Sequence, residues 1–203
     1  MSANKSFYVT TPIYYVNDAP HIGHAYTTLA CDVLARFLRL DGRRVKFLTG
    51  TDEHGQKVEK SAATAGIATQ PFVDKVSENF RELARAMNFS NDDFVRTTQT
   101  RHFEAVQALW KVLEEKGQIY LDSYSGWYSV RDEAFYREKE LVDGKAPTGA
   151  EVEWVEEPSF FFRLSDWQGP LLEFYKANPD FIAPESRRNE VIRFVESGLR
   201  DLS

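Results

Sequence analysis

Between Ser6 and Gly50 the chain reads as strand, helix, strand, and that order restricts the fold more than any other feature of its 203 residues. Residues 6–16, SFYVTTPIYYV, are dense in aromatic and β-branched types and read as a buried strand. From His21 the period changes: Ile22, Ala25, Leu29, Ala30, Val33, Leu34, Phe37 and Leu38 recur at helical spacing. Asn17 or Asp18 is expected to cap that helix, with Pro20 in its first turn and Gly42 as its stop. RRVKFLTG then reads as a second strand ending at Gly50. A crossover helix of this length joins parallel strands and turns right-handed.

The alternation continues. Residues 69–89 predict a helix with Phe72, Val76, Phe80, Leu83 and Met87 on one face, and DDFVRTT a third strand. Residues 101–117 predict a helix that turns Phe103, Val106, Leu109, Trp110 and Leu113 inward and stops at Gly117. Residues 1–116 are therefore expected to form half of a doubly wound, Rossmann-like α/β nucleotide-binding domain. Residues 117–203 are expected to form a separate inserted module. In it, aromatic segments punctuated by Gly and Pro suggest antiparallel hairpins, with helices near 166–177 and 185–197.

Composition narrows the function. A net charge of −6 lacks the basic footprint of a self-sufficient nucleic-acid binder. Cys31 is the single cysteine, so neither an intrachain disulfide nor a cysteine zinc site forms within the chain. No run of about 18 apolar residues exists to span a membrane, and a cytoplasmic location is expected. A monomer is expected too, since no heptad pattern or long exposed edge is evident.

In an open parallel sheet, ligands gather outside the carboxyl ends of the strands. Two motifs fall there: PHIGH after the first strand and TGTDEHGQK after the second. They are expected to bring His21, His24, Asp52, Glu53 and His54 towards one crevice. A helix start favours anions, and imidazoles at i and i+3 lie on one side of the first turn, suited to donate to phosphate oxygens. Gly23 leaves room for a flat base or ribose. Two other readings stand beside this one. His21, His24, His54 and Asp52 are also a plausible ligand set for zinc or iron in a hydrolase. Alternatively His21 only caps a turn and His24 sits on the solvated face, in a non-catalytic module that binds nucleotide or a partner protein.

Taken together, PIYYVNDAPHIGH and FLTGTDEHGQK resemble the class I aminoacyl-tRNA synthetases, and among them the methionyl-tRNA synthetase family. NDDFVRTT, GWYSVRDEAFY and PESRRNEV extend the resemblance over nearly the whole chain. It implies activation of methionine by ATP with Mg2+, release of pyrophosphate, and transfer of the methionyl group to tRNA. It further implies that His21 and His24 donate to the ATP phosphates, with Gly23 under the adenosine and Thr10 at the adjoining strand end. Asp52 would hold the methionine ammonium group, and Ile13 and Tyr15 would line the thioether pocket. Many members carry a cysteine zinc knuckle in the inserted module. Here Ser129 replaces a cysteine and DGKAPTGAEVE has none, so no structural zinc and no resident metal are expected. The second catalytic half, the KMSKS loop and the anticodon-binding domain of the family are not found in the sequence. The chain alone is expected to be inactive, with tRNA bound through that further C-terminal part.

Overall fold

The computed structural model describes residues 5–203, in two compact units that divide between Val106 and Gln107. The first unit is built on a parallel sheet. β3 (Arg44–Asp52) is its centre, with β4 (Asp93–Arg96) on one side and β1 (Ser6–Thr10) and β2 (Tyr14–Tyr15) pairing with it in succession. The expected strand over 6–16 is therefore broken. Thr10 pairs with Leu48 and Tyr14 with Thr51, so the first segment uses one residue more than β3 over the same span. The extra residue falls around Pro12, which has no N–H to give a ladder. The break aims Tyr14 into the core, while Ile13 and Tyr15 stay exposed.

β3 itself runs past the expected stop at Gly50 to Asp52. Gly50 lies inside the strand because β4 passes too close for a side chain: a Cβ there would sit 2.1 Å from the Val95 carbonyl oxygen. The core of this unit joins Tyr14 and Val16 to Val58, Val73, Val76 and Phe80. Those residues come from α2 (Gln56–Thr64) and α3 (Thr69–Ala86). α2 was not anticipated; Gly55 precedes it at φ 107 with no side-chain cap, so it lacks the usual start signal.

Helix faces differ from expectation. α1 (Ile22–Leu40) buries Thr28, Asp32, Ala35 and Leu38, while Ile22, Leu29, Val33, Leu34 and Phe37 remain exposed. The buried Asp32 carboxylate accepts from the Ser90 N–H and hydroxyl, each at 2.6 Å, and from Arg36 at 2.7 Å. This latch fixes α1 against the segment entering β4, and Arg39 adds bonds to Ser90 and Asp92. A polar group thus directs the inward face of α1. Met87, just past α3, is also exposed, as are Phe103, Val106, Leu109 and Trp110 on α4 (Thr100–Glu115).

In the second unit, β5 (Ile119–Ser129) pairs antiparallel with β6 (Ala134–Tyr136) and β7 (Glu153–Phe162). α5 (Gln168–Ala177) and α6 (Glu185–Glu196) follow. Asp201 returns to the sheet, accepting from Tyr120 and Ser165. At the end of β5, Ser129 is fully buried and accepts from the Asp132 N–H; Asp132 in turn accepts from Tyr136 and Thr148. Among the described residues, no helix is long and apolar enough to cross a membrane.

Candidate functional site

His21 and His24 cap α1 themselves, in place of Asn17 or Asp18, and Pro20 lies outside the helix. The Gly23 N–H donates to His21 Nδ1 at 3.1 Å, and the His21 N–H donates to His24 Nδ1 at 3.1 Å. This is a reciprocal capping box built from two imidazoles. It satisfies two N–H groups that a helix start otherwise leaves open. It also selects the tautomer: each Nδ1 accepts, so the hydrogen of each neutral ring sits on Nε2. The rings stack with centroids 3.9 Å apart.

Gly23 has a use that the sequence did not reveal. A Cβ at this position would lie 2.9 Å from His21 Cε1 and 3.0 Å from Nδ1, so the missing side chain makes room for the cap. His24 packs edge-on against Tyr14 at 4.8 Å and Phe80 at 5.1 Å. Desolvation, and then the neighbouring His21, lower its pKa below the ordinary histidine value. The neutral, cap-forming ring is thereby favoured. Tyr14, which sequence reasoning passed over for its neighbours, ties this start to the sheet: its hydroxyl is 2.8 Å from Thr28 Oγ1 and its ring stacks on Phe80.

The second motif is fixed from behind. Thr51 and Glu53 are buried and Asp52 between them is half-buried. The β2–β3 register sets Tyr15 beside Asp52. Glu53 receives Arg96 at 2.7 and 2.9 Å and Thr51 at 2.7 Å, together with Thr98. Burial alone would raise the Glu53 carboxyl, but these donors hold it below its ordinary range, and the Glu53 carboxylate, with Asp74, raises the Arg96 pKa in return. His54 lies against the Thr97 carbonyl at 3.3 Å and the Phe103 ring at 5.9 Å. Thr10 is exposed and donates to the Thr11 carbonyl at 2.8 Å. Two imidazoles at a helix start suit an anion, and a half-buried carboxylate at a strand end suits an ammonium group. Among the described residues, no three metal-ligating side chains come together, and both histidines spend Nδ1 on the backbone. The hydrolase ligand set is not assembled.

Sequence reasoning missed the roles of Glu53, Arg96 and Phe80. Only the rarity of a buried carboxylate would have pointed to Glu53, and burial is not legible in a short polar loop.

Residues 7–153 match the family described as tRNA synthetases class I (M). The methionine–tRNA ligase of Rickettsia bellii is 65% identical over 201 residues, covering 98% of this chain and 40% of that protein. The methionine–tRNA ligase of Rhizobium meliloti is 57% identical over 208 residues, covering 100% of this chain and 40% of that protein. Among solved structures, the Mycobacterium tuberculosis methionyl-tRNA synthetase in complex with methionyl-adenylate superposes with a TM-score of 0.92 at 55% identity, over 98% of this chain and 40% of that one. The chain spans about 40% of the length of the curated relatives it matches. With its parallel sheet, its self-capped HIGH helix and a match over residues 7–153, the chain belongs to the class I tRNA synthetase family, M group.

Proposed function

We propose that the protein containing this chain is a methionine–tRNA ligase. It joins methionine to ATP as methionyl-adenylate, then passes the methionyl group to tRNA. The observation that carries the reading is the mutual cap of His21 and His24, which spends Nδ1 of each ring and leaves Nε2–H to donate, on a chain so similar to ligases of that name. The methionyl-adenylate of the Mycobacterium tuberculosis relative supports the same substrates here.

The methionine carboxylate is ionised near neutral pH and needs no general base. Its oxygen attacks the α-phosphorus of MgATP, the bond to the β-phosphate breaks, and pyrophosphate leaves. A hydroxyl of the tRNA 3′ end then attacks the methionyl carbonyl, and AMP leaves. In the first step the protein supplies position and charge stabilisation. His21 and His24 donate through Nε2–H to the phosphates. Gly23 and Thr10 lie along the nucleotide. Asp52 holds the methionine ammonium group, and Ile13 and Tyr15 contact its side chain. tRNA engages a part of the protein beyond this chain, the functional boundary lies near Gly117, no structural zinc is held, and the protein works as a cytoplasmic monomer.

The test is methionine-dependent exchange of pyrophosphate into ATP by the complete protein. Exchange that falls about 100-fold in His21→Ala and is insensitive to zinc chelation is the expected result. The chain of residues 1–203 alone is expected to show none. No exchange by the complete protein overturns the proposal.

A further inference from the structure

Behind the end of β3 lies a polar cluster that the proposed chemistry does not use. Glu53 is 2% exposed, and its carboxylate accepts from Nε and Nη2 of the Arg96 guanidinium and from the hydroxyls of Thr51 and Thr98. Its N–H donates to Thr97 Oγ1 at 2.8 Å. Arg96 also reaches Asp74 on α3, and the Thr51 hydroxyl lies 3.0 Å from Ser77 Oγ on the same helix. The cluster therefore joins β3, β4 and α3 at one point, immediately beside Asp52.

Such a cluster is costly unless complete, since every buried polar atom needs its partner. The hydrophobic alternative, an apolar pair in the same volume, is often as stable or more so. What the cluster supplies is a fixed direction. Side chains alternate along an extended segment, so anchoring Thr51 and Glu53 inward turns Asp52 to the opposite side. That is the side on which Tyr15, its register partner, is exposed.

We infer that Glu53 and Arg96 are positioning residues that set the Asp52 carboxylate against the amino group of the amino-acid substrate. This rests on the role proposed above for Asp52. Glu53 and Arg96 touch no substrate; they act through the backbone of residues 51–53. The cluster therefore governs amino-acid binding and leaves the nucleotide to the histidines of α1.

Exchange kinetics on the complete protein, with methionine and ATP varied separately, distinguish this from a merely structural role. Glu53→Gln keeps the size but turns an NH2 donor towards the donors of Arg96. It is expected to raise KM for methionine about tenfold and to leave KM for ATP within about twofold. In an Asp52→Asn background, the same change is expected to add little, because the group being positioned is already lost. Thr98→Val removes one donor and leaves the ion pair. It is expected to show the same pattern at smaller amplitude, and it serves as the test if Glu53→Gln does not fold. A parallel rise in both KM values, a loss confined to kcat, or full additivity with Asp52→Asn overturns the positioning role. Absence of methionine-dependent exchange in the unsubstituted protein is a separate result: it overturns the ligase proposal on which this inference rests.

Discussion

At the scale of single residues, Gly23 decides whether the two histidines reach their places. Alanine there improves intrinsic helix propensity by about 1 kcal/mol. Its Cβ also displaces the His21 ring, 2.9 Å away, and removes a cap worth about 1 kcal/mol. The two nearly cancel. Gly23→Ala is therefore expected to change stability by less than about 1 kcal/mol in thermal melts, while exchange activity falls about tenfold or more. Equal losses of both would show that the glycine serves only the fold. The residue pattern His-x-Gly-His was legible in the sequence, but its mutual capping was not. Asn17, Asp18 and Pro20 offer the ordinary start signals, and they outweighed imidazole nitrogens, which rarely cap.

At the scale of elements, the β3–β4 contact has no slack. In Gly50→Ala the new methyl meets Val95 backbone, which cannot swing aside as a side chain does. A loss of about 3 kcal/mol is expected in denaturant melts, with β4 amides becoming the first to exchange hydrogen. Unchanged stability would mean that the strands part at little cost. The order of strands and helices was readable from period and punctuation, since βαβ units leave few alternatives. Helix faces were not. Apolar spacing on α1 marks a stripe at Ile22, Leu29, Val33 and Phe37, yet the polar latch at Asp32 and Ser90 sets the inward side. Periodicity locates apolar residues without naming what they pack on. α2 went unseen for the complementary reason, being short, polar and started by a glycine.

At the scale of the whole molecule, bonded carboxylates set the response to acid. Burial tends to raise Asp32 and Glu53, but Ser90 with Arg36, and Arg96 with Thr98 and Thr51, hold both below their ordinary values. A carboxylate with a lowered folded pKa contributes stability above its unfolded value, 3.8 for aspartate and 4.5 for glutamate. That contribution is lost as pH falls from there through the folded value. Melting temperature is expected to drop steeply below about pH 4.5, and Glu53→Gln, already destabilised, is expected to drop less steeply. Identical acid limbs in the two proteins would show that Glu53 carries no part of the effect. The capped histidines have a consequence of another kind. Their Nδ1 atoms build the helix start and the proposed chemistry takes their Nε2–H groups, so one four-letter spelling answers to two selections. A descendant that ceased to activate any amino acid would still be under pressure to keep it. Finding the spelling intact in a distant sequence thus attests the helix start before it attests catalysis.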